Sequence, residues 1–312
     1  MNLILKKSHN FNHLEKNFHL HPSSLNHLHD AEYIKSLGKG AFGDVKLYKC
    51  VECTGTNENG EQNICNKFFV VKKVKCRRNT HDKLIKKCLI NEYTISTLLE
   101  HPNIRKTLDV DLIDNCLIFE YFNEIDLFQY LKLGNCNIND DLNYYEQFIE
   151  AVEYMHKIGI AHMDLKLENI LLNIDNKTIK IIDFGESRVF HDTHHIETII
   201  LEHGVHGSEP YIAPEEFIKE FYDPEKVDVW SSAIILYEIL YVSIPWGIAC
   251  KSDYRFNTFL NYYNKSLSLL TNTFFKKHIA DDILIKMLNP NPEKRCKIKD
   301  IKADILKLKY SV

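Results

Sequence analysis

The sequence predicts an α+β fold in two parts, a smaller β-rich part followed by a larger, mainly helical one. Two observations predict it. Up to about residue 122, short runs of alternating apolar and polar residues are punctuated by glycine, the period-two signature of strands; beyond it, apolar residues recur at the three- and four-residue spacing of helices. A length of 312 residues gives room for two sizeable cores, and no heptad or solenoid repeat overrides the pattern.

Residues 1–32 read as an N-terminal extension holding six histidines, His9, His13, His19, His21, His27 and His29. A polar tail is the expected reading, with a pH sensor or metal binder as the alternative. Tyr33 to Leu37 and Val45 to Cys50 read as strands around a glycine-rich turn, and Cys53 to Asn66 as an exposed loop. Lys67 to Val74 is the next strand. Asp82 to Leu99 has helical periodicity, with Ile85, Leu89 and Tyr93 near one face. Leu117 to Phe122 is a short apolar strand. Helices are expected at Tyr144 to Lys157, Asp228 to Tyr241, Phe259 to Leu270 and Ala280 to Leu288. The run VDVWSSAIILYEILY from Val227 carries Asp228 and Glu238 and is closed by Pro245. It fits a helix buried in a protein core, because a membrane span wants about 20 uninterrupted apolar residues.

Hydrophobic residues at 45%, charged residues at 26% and a net charge of −4 fit an ordinary globular chain and give no reason to expect nucleic acid or an anionic membrane as partner. The nine cysteines are odd in number and scattered. Lys6 and Lys7 follow too short an apolar start for a secretory leader, so reduced thiols in a cytoplasmic protein are expected. Cys50-x-x-Cys53 with Cys65 lacks an evident fourth zinc ligand. The missing heptad makes a monomer the expectation.

Four motifs carry chemistry. Gly38-Lys-Gly40-Ala-Phe-Gly43-Asp-Val45 matches G-x-G-x-x-G-x-V, in which glycines let the backbone approach phosphates. The dinucleotide fingerprint has a similar pattern but must open a helix, and strand-like residues follow here. A triphosphate then needs a fixed cation. Lys72, two residues after Val70, suits that role with Glu92 as its helical partner, and Lys73 is the alternative. His162-Met-Asp164-Leu-Lys166-Leu-Glu-Asn169 has the form H-x-D-L-K-x-x-N. It offers Asp164 to accept or orient a hydroxyl, Lys166 to neutralise a transferring phosphoryl group and Asn169 to hold Mg²⁺. Asp183-Phe-Gly185 follows the strand-like run Thr178 to Ile182 and supplies a second Mg²⁺ ligand, Asp183.

In this order the motifs resemble the protein kinase superfamily, over about residues 33 to 309. The resemblance implies a bilobal fold, with a smaller lobe and hinge at 33–122 and a larger lobe at 123–312. It also implies ATP and Mg²⁺ as cofactors and protein substrates with serine or threonine acceptors. Gly207-Ser-Glu-Pro-Tyr-Ile-Ala213-Pro-Glu215 resembles the end of an activation segment, and Arg295 the arginine that pairs with its final glutamate. Asp228 resembles the aspartate that braces the catalytic loop. Glu120 to Phe122 resembles the adenine-binding hinge, with Phe119 as gatekeeper and Asp126 near the ribose. Lys166 with Ser208 resembles the serine/threonine class, and Glu168 hints at a basic residue upstream of the target. The runs GVHGSEPYIAPEEF and YDPEKVDVWSSAIILYEIL are similar to fungal halotolerance and nitrogen-permease reactivator kinases, which implies control of membrane transporters.

One residue departs from the pattern. Met163 stands where most such kinases carry the arginine that grips a phosphate on the activation segment, so activity independent of phosphorylation at Thr193 or Thr198 is expected. The rival from another class is a pseudokinase acting as an ATP-binding scaffold. Lys72, Glu92, Asp164, Asn169 and Asp183 are the residues such proteins lose, and all are present.

Overall fold

The computed structural model describes residues 31–40, 43–50, 54–56, 62–64, 68–74, 82–123, 125–134, 137–191, 199–275 and 280–311. The six N-terminal histidines, Cys53, Cys65, Thr193 and Thr198 lie outside the described residues. The chain divides into two compact units, Met1–Glu100 with Arg105–Phe122, and His101–Ile104 with Asn123–Val312.

The first unit contains β1 (Ala31–Gly40), β2 (Gly43–Cys50), β3 (Thr54–Thr56), β4 (Gln62–Ile64), β5 (Phe68–Val74), α1 (Asp82–Ser96), β6 (Thr107–Asp111) and β7 (Cys116–Glu120). Five of the strands form an antiparallel sheet in the order β1-β2-β5-β7-β6. Strand alternation gives the sheet two apolar faces. On one, Leu47, Val70, Val110, Leu117 and Phe119 pack with Ile85 and Leu89 of α1. On the other lie Cys50, Phe69, Val71, Cys116 and Ile118. The stretch expected as an exposed loop instead holds β3 and β4, paired antiparallel with Thr54 opposite Ile64. Strands of three residues are too short to print a period in the sequence.

The second unit contains β8 (Ile125–Asp126), α2 (Leu127–Lys132), α3 (Ile138–Lys157), β9 (Ile160–Ala161), β10 (Ile170–Asn173), β11 (Thr178–Ile181) and β12 (Arg188–Val189). It continues with α4 (Glu215–Ile218), α5 (Pro224–Tyr241), α6 (Tyr254–Lys265), α7 (Asp281–Met287) and α8 (Ile298–Ser311). Its small sheets order as β11-β10-β8 and β12-β9. The axis of the unit is α5. Asp223 caps its start by accepting from the Glu225 amide at 2.9 Å, Pro224 pre-sets the first turn, and residues from Pro224 through Ile239 are buried. Burial all round explains a segment with no polar face. Among the described residues, no helix is long and apolar enough to cross a membrane.

Helix boundaries differ from the sequence expectation where capping decides them. α3 begins six residues before Tyr144 because the Asn137 side chain accepts from the amides of Asn139 and Asp140. The helix expected at Phe259 to Leu270 starts earlier, at Tyr254, where Asp253 accepts from the Phe256 amide, and ends at Lys265. Leu270–Phe274 is π-helical. α8 has no counterpart in the expectation.

Candidate functional site

In the first unit, β5 decides which lysine can act. Alternation turns Val70 and Lys72 to the α1 face and Lys73 to the opposite one. Glu92 lies on the α1 face that Ile85 and Leu89 already occupy, at i+7 and i+3. Lys72 Nζ therefore meets Glu92 Oε1 at 3.0 Å, with side chains only 11% and 7% exposed. Lys73 is exposed and pairs with Asp114 at 3.1 Å.

The glycine run folds as the β1–β2 hairpin. Gly38 pairs with Val45 and Gly40 with Gly43, and Val45 is opposite Lys72 on β5. Gly43 and Gly38 serve different ends. A Cβ on Gly43, whose φ is +154°, would stand 2.1 Å from the Lys73 carbonyl oxygen, so glycine there permits the β2–β5 approach. Among the described residues, nothing lies within 4 Å of a Cβ built on Gly38, which leaves its backbone open to a ligand. Val70 is fully buried in the core, and Phe119 is 2% exposed. Glu120 ends β7, where its carboxylate accepts from the Lys106 amide at 2.8 Å; Phe122 closes the unit.

In the second unit, the segment between β9 and β10 gathers Asp164, Lys166 and Asn169. Asp228 of α5, wholly buried, holds its backbone: Oδ2 accepts from the His162 amide at 2.8 Å and Oδ1 from the Met163 amide at 2.9 Å. The same carboxylate meets His156 Nε2 at 2.9 Å. This grip holds Met163 in the left-handed region, at φ +68°, a conformation costly for a non-glycine residue. His162 locks the next step. Its Nδ1 accepts from the Asp164 amide at 3.3 Å, so its Nε2 carries the proton and donates to the Ile182 carbonyl at 3.0 Å.

Asp164 then stands in a polar triangle. Its Oδ2 accepts from Lys166 Nζ at 2.6 Å, its Oδ1 accepts from Ser208 Oγ at 3.0 Å, and Lys166 Nζ donates to Ser208 Oγ at 2.8 Å. Ser208 approaches because Gly207 has φ +84° and lies against Met163; a Cβ on it would come 2.9 Å from the Met163 carbonyl oxygen.

Asn169 closes a 3₁₀ turn, Leu167–Asn169. Its Nδ2 donates to the Asp164 carbonyl at 2.8 Å and leans on Oδ2 at 3.2 Å, which leaves the amide oxygen as the atom offered to a cation. Its carbonyl accepts from the Ile182 amide at 3.0 Å, which anchors the chain one residue before Asp183, another left-handed residue at φ +65°. One amide oxygen and one carboxylate form a hard donor set. It suits a small divalent cation that completes its shell with water and phosphate oxygens. Among the described residues, no group of three His, Cys, Asp or Glu side chains could hold a metal by itself. Asp126 accepts from the Gln129 amide at 2.7 Å and caps α2. Sequence reasoning missed His156, Ser187 and Tyr211. Ser187 donates to the His162 carbonyl at 3.2 Å, and Tyr211 donates to Glu238 at 2.6 Å. No local motif marks His156 or Ser187, and the Gly207–Glu215 run contains Tyr211 without showing its partner, Glu238, 27 residues on.

The residues thus fit a nucleotide with a hard cation, in a chain built to present a hydroxyl to a carboxylate. Comparison with known proteins agrees with that chemistry. The family model described as protein kinase domain matches residues 31–305. The serine/threonine-protein kinase ppk8 of Schizosaccharomyces pombe is 42% identical over 177 residues, covering 56% of this chain and 34% of the relative. The serine/threonine-protein kinase HAL4/SAT4 of Saccharomyces cerevisiae is 34% identical over 269 residues, covering 85% of this chain and 44% of the relative. The nitrogen permease reactivator protein of the same yeast is 35% identical over 234 residues, covering 73% and 28%. The matches span less than half the length of these relatives.

Proposed function

The chain belongs to the protein kinase family, and from that premise we propose that it transfers the γ-phosphoryl group of ATP to serine or threonine hydroxyls of proteins. The observation that carries the proposal is the Asp164–Lys166–Ser208 triangle. In it a hydroxyl already donates to Oδ1 of the Asp164 carboxylate while the lysine cation donates to that hydroxyl's own oxygen and to Oδ2. A substrate hydroxyl held in that way keeps an oxygen lone pair directed at phosphorus. The oxygen–phosphorus bond forms, the bond from Pγ to the β,γ-bridging oxygen breaks, the hydroxyl proton passes to the Asp164 carboxylate, and ADP leaves. Lys166 offsets the charge of the transferring group, and Lys72, fixed by Glu92, has the role of fixed cation for the α- and β-phosphates. Asn169 and Asp183 would hold Mg²⁺, which neutralises phosphate charge when bound. Alignment and electrostatics, not a covalent intermediate, supply the rate.

The expected targets are proteins. One relative is named nitrogen permease reactivator protein, which supports a membrane transporter as the regulated class. The test is transfer from labelled Mg·ATP to a mixed serine/threonine peptide library, with Asp164→Ala as control. Loss of transfer by roughly 10²-fold or more in the variant is expected. Retained ATP binding with no transfer by the wild type would turn the reading to a scaffold pseudokinase.

A further inference from the structure

The C-terminal end of α5 and the start of α6 enclose a groove of about 320 Å³ that the catalytic residues do not use. Tyr237, Ser243, Tyr254, Arg255, Thr258 and Phe274 line it. Three features mark it as more than a surface dent. The first is the exposed guanidinium of Arg255. The nearest acid in sequence, Asp253, is engaged elsewhere: it accepts from the amides of Gly247 at 2.9 Å, Phe256 at 3.0 Å and Ile248 at 3.3 Å. Among the described residues, no carboxylate pairs with Arg255. Its charge does reach the groove wall, where it opposes the rise that burial imposes on the Tyr237 phenol.

The second feature is backbone geometry. Val242, a β-branched residue, ends α5 in the left-handed conformation at φ +48° and turns the chain so that Ser243 reaches the groove. The opposite wall is the end of the π-helical stretch, at Phe274. Both conformations are uncommon and gather where function maintains them. The third feature is the rim. Tyr254 lines the groove beside Arg255 and is 83% exposed, and the residues on either side of Ser243 in the chain, Val242 and Ile244, are 63% and 41% exposed.

We propose that this groove docks an acidic residue, flanked by an apolar one, from a protein substrate, through Arg255 and Tyr254 of its lining. The proposal rests on the reading of the chain as a protein kinase, because it takes the occupant from a substrate protein. Charge complementarity selects the carboxylate, and the phenol and serine hydroxyls add hydrogen bonds. The apolar rim suits the neighbouring side chain of an extended peptide. A groove of this size accepts one side chain rather than a folded surface.

The test reads binding without ATP, so its outcome is independent of phosphoryl transfer. Two labelled peptide pools are compared by fluorescence anisotropy. One fixes Asp with a Leu beside it; the other replaces that Asp by Asn. The wild type is expected to bind the Asp pool about tenfold more tightly, the scale of a charge-assisted bond. Arg255→Ala should erase the preference, and Arg255→Glu should shift it to a Lys-centred pool. Tyr254→Ala should weaken both pools alike. Both residues are exposed, so melting temperatures should match the wild type. Equal binding of the Asp and Asn pools by the wild type would overturn the proposal, as would a preference that survives Arg255→Ala. Arg255-dependent sedimentation with phosphatidylserine vesicles, without any peptide preference, would overturn it in favour of a lipid surface.

Discussion

Met163 is buried, 2% exposed, with its backbone fixed by Asp228, and its uncharged side chain offers no cation to a phosphate on the activation segment. The segment is tied by its own charges instead. Arg188 donates to Glu202 at 2.8 Å, and His206 Nδ1 meets Glu186 at 3.3 Å. Phosphatase treatment is therefore expected to leave phosphoryl transfer unchanged. Activity lost on treatment and restored with phosphate at Thr193 or Thr198 would refute this. Glu238 makes a second residue-level case. Burial pushes its carboxyl up to about 7, with the hydrogen bond from Tyr211 opposing and the charge of Glu168 assisting. Between the ordinary value of 4.5 and 7 the folded protein holds a proton that the unfolded chain has lost, so stability from this group falls as pH rises through that window. Glu238→Gln keeps an acceptor for Tyr211 and removes the penalty. The variant should be more stable than the wild type by up to about 3.4 kcal/mol at pH 8, at 1.36 kcal/mol per pKa unit, and no more stable near pH 4.5. Urea melts at the two pH values decide it; equal destabilisation at both would show that the carboxylate is needed for packing. At this scale the octapeptide from His162 was legible because its residue types and spacing are rare together. The tautomer of His162 and the role of His156 were not, because they depend on Ile182 and Asp228, which are distant in sequence.

Elements were legible where one face is buried and obscure where a cap or a short pairing sets the limit. α8 is instructive. Among its described residues Ile298, Ile301, Ile305 and Leu308 are buried, at helical spacing, but lysines and aspartates between them dilute the apolar signal. The β1–β2 hairpin separates two roles that the glycine pattern alone cannot. Gly43→Ala places a methyl 2.1 Å from the Lys73 carbonyl and must disturb the β2–β5 pairing, at a cost of about 1–3 kcal/mol. Gly38→Ala meets no neighbour within 4 Å among the described residues and should leave the melting temperature almost unchanged while raising KM for ATP, because the methyl fills the room a phosphate needs. Thermal melts and ATP titrations of the pair separate fold from function. A stable Gly43→Ala protein with an unchanged KM would show that the strand pairing yields there.

On the scale of the whole molecule, the order of the four motifs identified the fold class, whereas the contacts that hold the second unit join residues far apart in sequence. One of them links Glu215, at the start of α4, to Arg295, just before α8. The pairing is bidentate, at 2.6 and 2.9 Å, and both side chains are almost wholly buried. Arg295 also donates to the carbonyls of Asn289 at 3.0 Å and Lys226 at 2.7 Å, and its guanidinium lies 4.8 Å from the centre of the Trp230 ring. The sequence hinted at this pair only through resemblance, since no local pattern spans 80 residues. Charges so deep gain little over an apolar pair once desolvation is counted, but removing one partner strands the other. Glu215→Ala should therefore cost about 3–5 kcal/mol, while Glu215→Leu with Arg295→Met should recover much of that loss. The chain contains two tryptophans, Trp230 and Trp246, and both belong to the second unit, with ring centres 5.6 Å apart. Their fluorescence during urea unfolding reports on that unit alone, which avoids assigning one free energy to a chain with two compact parts. If the double variant is as unstable as Glu215→Ala, the ion pair itself, and not merely the filling of its site, holds α4 to the end of the unit.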